Sequence, residues 1–139
     1  MRVLISISKI LLLFMLFNVL PPAACSQDEF QAREGDTTYT MKKYYFCFLK
    51  KGPTRDQDSV TAAQIQKGHM AHINSLAEQG KITMAGPFEG DGDMRGILVF
   101  TVKSAEEARD LESRDPAVKS GRLFMEIIPW WGAKGTCLK

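Results

Sequence analysis

Residues 64–87 read QIQKGHMAHINSLAEQGKITMAGP, and they encode a helix that turns directly into a strand. Ile65, His69, Ile73 and Leu76 follow one another in steps of four, four and three, which is the spacing of one helix face. His69 therefore lies within the apolar stripe of the predicted helix. An ionisable ring among core positions requires a bonding partner or a chemical role, because an unpaired polar group is costly to bury.

The segments around this unit alternate between strand-like and helix-like patterns. Strands are predicted at residues 41–49, 81–88, 96–102 and 123–130. Helices are predicted at 60–79, which ends before Gly80, and after the capping box of Ser104 and Glu107. The order β-α-β-β-α-β predicts an α+β, ferredoxin-like antiparallel sheet with both helices on one face.

Three of the predicted strands carry apolar side chains on both faces, at residues 44–49, 97–100 and 123–128. A sheet that helices cover on one side should instead alternate apolar and polar residues. The uncovered face would leave a large apolar patch on a monomer, so we expect a homodimer that packs sheet against sheet. The alternative is a monomer whose tail, residues 134–139, folds across the sheet.

The first 25 residues have the layout of a secretory signal peptide. Two basic residues precede an apolar run at 10–20, which is too short to span a membrane, and small residues follow it. A lipoprotein peptidase would cut before Cys25 and leave it lipidated, whereas an ordinary signal peptidase would cut after Ser26. Either route exports the chain, so we predict a periplasmic or membrane-anchored lipoprotein, or otherwise a secreted protein.

The mature chain is predicted to contain a flexible tether at 26–40, one domain at 41–133 and a tail at 134–139. Leader removal takes away two of the 18 basic residues and no acidic one, which leaves 16 residues of each sign. Without a net charge or a basic patch, the chain is not expected to bind nucleic acid, or to meet a membrane except through a lipid anchor.

Two cysteines remain in the mature chain, Cys47 in a predicted strand and Cys137 in the tail. In an oxidising compartment they could form a disulfide. The alternative is a buried thiol and a loose one, since reduced cysteine packs as a small apolar side chain. Both alternatives fit the sequence, because pairing depends on a geometry that spacing does not determine.

Four motifs, taken in order, resemble those of the YCII-related family. They are HMAHINSLAEQGKITMAGP at 69–87, SAEEA at 104–108, DPAVKSG at 115–121 and IIPW at 127–130. The resemblance covers residues 42–131, the whole globular part of the chain. It implies a dimeric α+β barrel and a histidine–aspartate dyad in a small-molecule pocket. Some family members act on chlorinated lactones, and many have no assigned reaction.

His69 matches the family histidine, because its eleven-residue step to Gly80 fits and the step from His72 does not. Asp115 matches the family aspartate. An imidazole can move a proton near neutral pH, and a carboxylate on its other nitrogen fixes the tautomer. The pair predicts general acid–base chemistry on a small molecule, by elimination, isomerisation or hydrolysis. No nucleophile elbow or phosphate loop appears in the sequence.

Each of these residues also has a structural interpretation. Asp115 precedes Pro116 and is a good N-cap for a helix that begins with proline, a role that can coexist with a dyad. His69 could be a core histidine bonded to a carbonyl group. A dimeric module that binds a small ligand without converting it is therefore the alternative function.

The predicted substrate pocket includes His72, Ala85, Gly86 and Pro87, and the last three residues are expected to permit close backbone approach. His72 lies three residues from His69, a spacing that suits two ligands of one metal ion. No third ligand is evident nearby in the sequence. We therefore predict no metal and no cofactor, and a partly exposed His72.

Arg55 and Arg95 lie in predicted loops. They could contact an anionic substrate, although arginines in loops are more commonly solvated surface residues.

Overall fold

The computed structural model describes residues 28–136 and 138. Within them the chain forms β1 (Glu29–Glu34), β2 (Thr37–Lys51), α1 (Ser59–Glu78), β3 (Ile82–Pro87), β4 (Met94–Phe100), α2 (Ala105–Glu112), α3 (Pro116–Lys119) and β5 (Leu123–Ala133). The predicted leader, its lipidation site Cys25, and Cys137 lie outside the described residues. Among the helices that are described, none is long and apolar enough to cross a membrane.

β2 is the centre of an antiparallel sheet. One of its edges pairs with β4, and the other pairs with β5 from Met41 opposite Ala133 to Lys51 opposite Leu123. β3 pairs in turn with β4, so the central strands run in the order β3-β4-β2-β5. With α1 and α2 as the connections, this is the ferredoxin-like arrangement, and the predicted α+β class is confirmed.

The flexible tether predicted at 26–40 is wrong from β1 onward. β1 pairs residue by residue with the beginning of β2. Gly35, with a φ of +58°, and Asp36 form the two-residue connection of a tight hairpin. The Phe30 ring packs edge-on against Trp131, with 4.9 Å between centroids. β1 is largely exposed and mostly polar. Its sequence therefore lacks the alternation of apolar and polar residues from which a strand could be predicted.

The core lies between the helices and one face of the sheet. Alternate residues of β2, Tyr45, Cys47 and Leu49, are buried on this face. They pack in one cluster with Leu76 of α1 and Ala108 of α2. Both long helices therefore cover the same side of the sheet, as the order of elements predicts.

The opposite face of the sheet is apolar and uncovered in the single chain. Phe124, Ile128 and Trp130 of β5 are 56%, 45% and 46% exposed. Phe46 of β2 packs edge-on against the Trp130 ring, with 5.0 Å between centroids. Glu126 is the acidic exception and pairs with a lysine of β2. We call the apolar side chains of this surface the outer face.

Both long helices begin at residues whose side chains cap the first turn. Asp58 caps α1 by accepting hydrogen bonds from two backbone amides of the first turn. Ser104 caps α2 by accepting a 3.1 Å hydrogen bond from the Glu107 amide. Glu107 does not complete a reciprocal capping box, because its carboxylate accepts from the Lys103 amide instead.

Candidate active site

His69 and Asp115 form a buried hydrogen bond between α1 and the start of α3. Nδ1 of His69 lies 2.6 Å from Oδ2 of Asp115. The His69 side chain is 11% exposed and the Asp115 side chain is fully buried, so the bond is shielded from water. The structure thus brings together the two residues that the family resemblance selects, and their catalytic role remains a prediction.

This contact depends on a glycine in the middle of α1. A Cβ atom built on Gly68 would lie 2.9 Å from Cγ of Pro116, which is closer than packed carbon atoms approach. Gly68 therefore lets the first residue of α3 pack directly against α1. Because His69 and Asp115 are the sequence neighbours of these two residues, the close packing places the imidazole against the carboxylate.

Asp115 combines the structural role and the bond to histidine. Its Oδ1 accepts a 2.6 Å hydrogen bond from the Ala117 amide and so caps α3, while Oδ2 bonds His69. Burial alone would raise the pKa of Asp115, but these hydrogen bonds outweigh burial and hold the pKa below its ordinary value. The carboxylate is therefore charged at neutral pH and favours the imidazole tautomer with its proton on Nδ1.

The His69 ring lines a cavity of about 370 Å³ between α1 and the sheet. Since Nδ1 is engaged by Asp115, Nε2 is the ring nitrogen that remains for a substrate. Most of the lining is aliphatic, from Leu49, Ile65, Ile73, Ile97, Leu98 and Leu123. A cavity of this size with few polar groups suits a small organic molecule.

Ala85, Gly86 and Pro87 also line this cavity, at the end of β3. The reason predicted for Gly86 is wrong, because a Cβ atom built there would meet nothing within 4 Å. The glycine that close approach requires is Gly96 of β4, where a Cβ would lie 2.8 Å from the Gly86 carbonyl oxygen. The missing side chain of Gly86 instead leaves open space.

Three arginines, Arg55, Arg95 and Arg122, line the same cavity. Nη1 of Arg55 donates a 2.9 Å hydrogen bond to the Arg122 carbonyl, and Nη1 of Arg122 donates to the Gln57 side chain. Within residues 28–136 neither guanidinium forms an ion pair with a carboxylate, whereas Arg95 lies 3.7 Å from exposed Asp91. The cavity therefore combines an apolar lining with positive charge that is largely uncompensated.

His72 does not line the cavity, and its assignment to the substrate pocket is wrong. It follows His69 by three positions, so the two side chains leave α1 about 60° apart. Nε2 of His72 lies 3.8 Å from Oε2 of Glu112, which is too long for a hydrogen bond. Burial lowers the pKa of His72, and the Asp115 carboxylate partly opposes this effect. Its side chain is 16% exposed.

Glu112 is a fully buried acid that the sequence interpretation missed. Burial, and secondly the neighbouring Asp115, raise the pKa of Glu112 to about 8. Ligand atoms of His72, Glu112 and Asp115 lie within 4.8 Å of one another, so third ligands do lie near His72 in space. The available signal was helical spacing, since Glu112 follows the inner residue Ala108 by four positions.

The profile of the YCII-related domain matches residues 44–131, from β2 to β5. The chain belongs to the YCII-related family. The match contains both members of the His69–Asp115 pair and all the cavity-lining residues named above.

Among solved structures, this YCII-related chain is similar to a 5-chloro-2-hydroxyhydroquinone dehydrochlorinase from Burkholderia phenoliruptrix, determined in complex with 2,5-dihydroxybenzoquinone. The identity is 24%, the alignment covers 63% of this chain and 92% of that chain, and the TM-score is 0.46. The curated proteins contain no match to the chain.

Proposed function

We propose that this YCII-related protein is a small-molecule enzyme that uses general acid–base catalysis, of the lyase, isomerase or hydrolase type. The observation that carries the proposal is the His69 ring, which lines the 370 Å³ cavity while its Nδ1 binds buried Asp115 at 2.6 Å. A proton acceptor, the group that orients it and a space for substrate therefore occur together.

His69 acts as the general base through Nε2. Asp115 holds the neutral ring with its proton on Nδ1, so that Nε2 presents a lone pair to the substrate. The substrate, or a water molecule in hydrolysis, transfers a proton to Nε2, and the Asp115 carboxylate stabilises the imidazolium that forms. The ring then returns this proton to the leaving group or to the rearranged carbon, which restores the neutral histidine.

The substrate class follows from the cavity lining. Arg55 and Arg122 are held by a carbonyl and an amide oxygen, so their positive charge remains available to a ligand. An aliphatic lining beside them favours a compact, mostly apolar molecule with a carboxylate or an ionised hydroxyl group. His69 then meets the apolar part of the substrate, where a proton is removed or added.

Two copies of the chain associate through the outer face in this proposal. The exposed apolar side chains of β5, Phe124, Ile128 and Trp130, form a surface of the kind that monomers rarely leave in water. Ile128→Glu should convert the dimer to a monomer in analytical ultracentrifugation. Val60→Glu is the matched control, because Val60 is a 65% exposed apolar residue on α1, outside the outer face. A wild-type monomer would contradict the homodimer.

Export is also part of the proposal, and it rests on residues 1–25. Mass spectrometry of the mature protein should detect a lipidated Cys25 or an N-terminus after Ser26. An intact N-terminal leader in the mature protein would contradict export.

A metabolite library rich in small organic acids, screened by thermal shift and then for turnover, tests the enzymatic function. We expect at least one anionic compound that stabilises the wild type and is converted by it. His69→Ala should abolish turnover, and Arg122→Gln should weaken binding. Asn74→Ala, an exposed polar residue on the same helix, is the control that should change neither.

Two outcomes would contradict the enzyme. A ligand that binds the wild type and His69→Ala equally would lie away from the ring. A ligand that needs His69 and Arg122 but is never converted would favour the alternative function, a dimeric module that binds a small molecule.

A further inference from the structure

Glu112, the last residue of α2, is a buried acid that the proposed reaction does not use. It has no exposed surface, and neither of its carboxylate oxygens has a hydrogen-bond partner among the described residues. Folded proteins rarely leave such atoms unsatisfied, and a bound ion, a bound water molecule or protonation of the acid can each satisfy them. The surroundings of Glu112 distinguish among these.

A second unsatisfied atom points to the same place. Nε2 of His72 is buried and also has no hydrogen-bond partner, and it lies 3.8 Å from Oε2 of Glu112. A buried imidazole nitrogen that faces a carboxylate and has no hydrogen-bond partner is free to bind a metal ion.

Asp115 completes a group of three. Ligand atoms of His72, Glu112 and Asp115 all lie within 4.8 Å of one another. An ion at the centre of three atoms 4.8 Å apart would lie about 2.8 Å from each, against bonds of about 2.0–2.2 Å for zinc with nitrogen or oxygen. Movements of less than about 1 Å would therefore close the ligands around a zinc-sized ion.

The charges favour a cation. Glu112 and Asp115 are both fully buried, and within residues 28–136 no lysine or arginine forms an ion pair with either carboxylate. His69 forms a hydrogen bond with Asp115, but it forms none with Glu112. Each Asp115 oxygen accepts one hydrogen bond and keeps a lone pair for a metal.

We propose that His72, Glu112 and Asp115 bind one divalent transition-metal ion of the zinc class. An imidazole with two carboxylates suits zinc, cobalt, manganese or iron, whereas calcium and magnesium prefer oxygen ligands alone. The ion joins α1 to the junction of α2 and α3, directly behind the His69–Asp115 bond. The partly exposed side of His72 is its route of entry.

The test uses the full chain after treatment with a chelator. Calorimetric titration with Zn²⁺ should give one ion per chain, and Co²⁺ should give the visible absorption bands of a low-coordinate site. Zn²⁺ should also raise the melting temperature. Glu112→Gln keeps the size of the side chain and removes its charge, and it should weaken Zn²⁺ binding at least about tenfold. His72→Gln should weaken it similarly.

Glu78→Gln, an exposed acid at the end of α1, is the matched control and should bind Zn²⁺ like the wild type. The proposal is overturned if the wild type binds no stoichiometric Zn²⁺, or if Glu112→Gln binds it equally well. If the wild type does not bind Zn²⁺ and the Glu112→Gln variant is more stable than the wild type, Glu112 is a protonated acid and not a metal ligand. None of these readouts needs turnover, so the outcome is independent of the proposed enzymatic function.

Discussion

Asp115 and Glu112 lie three positions apart and are equally buried, yet in the chain without a bound metal the pKa of one is lowered and the pKa of the other is raised. The pKa of Asp115 is lowered, although burial opposes this, because His69 and the Ala117 amide donate hydrogen bonds to it. The pKa of Glu112 is raised to about 8 by burial and by Asp115, with no donor to oppose them. Burial alone therefore does not set the charge of an acid, and the donors aimed at it do.

Helix position contributes to the same difference. Asp115 is the N-cap of α3, where free backbone amides favour a negative charge. Glu112 is in the last turn of α2, where free carbonyl groups disfavour one. The short connection between α2 and α3 thus places one acid at a favourable helix end and the other at an unfavourable end.

Replacement of Asp115, whose two carboxylate oxygens both accept hydrogen bonds, should have the largest effect on stability. Asp115→Ala removes the cap of α3 and leaves His69 without its partner, so we expect a loss of about 3–5 kcal/mol in the free energy of unfolding. Urea denaturation measures it. Asp115→Asn keeps the capping oxygen and should lose less. If Asp115→Ala is as stable as the wild type, the bond to His69 makes no net contribution.

Replacement of Glu112, whose carboxylate oxygens have no hydrogen-bond partner among the described residues, should instead increase the free energy of unfolding. In the presence of a chelator, the folded pKa of Glu112, about 8, exceeds an unfolded value of about 4.3. The protonated form therefore stabilises the fold at low pH, and this contribution is lost as the pH rises from about 5 to about 8. Glu112→Gln should flatten this decline and be more stable than the wild type by several kcal/mol at pH 8.

Denaturation midpoints measured across this range check the prediction. The ionisable groups beside Glu112 are Asp115, His72 and Cys47. Asp115 has a lowered pKa, so its own contribution is lost only at more acidic pH, and the two windows do not overlap. An equal decline in wild type and Glu112→Gln would show that another group titrates.

The contact between α1 and α3, which positions Asp115 against His69, can be loosened at Gly68. Gly68→Ala gains helix propensity but places a Cβ atom 2.9 Å from Cγ of Pro116. We expect a net loss of about 1 kcal/mol, because overpacking outweighs the gain, together with a longer His69–Asp115 bond. Urea denaturation and the NMR signal of the His69 ring report the two effects. Pro116→Ala in the same chain should restore both, and failure of this rescue would place the strain elsewhere.

The reactivity of the Cys47 thiol should be very low in the folded protein. The thiol is completely buried beneath the helices, and burial, with Glu112 and Asp115 adding to it, raises the pKa of Cys47 far above its ordinary value. Iodoacetamide should therefore leave the Cys47 peptide unmodified in the folded protein at pH 8 and alkylate it in urea. Modification of the folded protein at the unfolded rate would contradict this burial.

Local patterns were sufficient for most of the fold. The steps from Ile65 to Leu76 place one face of α1, and Ser104 and Asp115 mark the starts of α2 and α3. β1 was missed because the hairpin at Gly35 joins strands that bury little. Its one local signal, glycine followed by aspartate, is weak without an apolar pattern on either side.

The candidate site was predictable in part. His69 and Asp115 were selected by family resemblance, and the structure places them 2.6 Å apart. His72 was wrongly assigned to the substrate pocket, because its spacing of three positions from His69 does not determine which residues its side chain contacts. Glu112 was missed although it shares a helix face with Ala108, because a glutamate in a polar helix resembles a solvated residue.

The sequence by itself determined the periodicities, the caps and the order of the elements, because each depends on residues close together in the chain. Only the tertiary structure decided which acid met which histidine. That pairing depends on how closely α3 approaches α1, and the approach is limited by one glycine against one proline ring, 48 positions apart. Contact between such distant residues depends on packing, which no local pattern records.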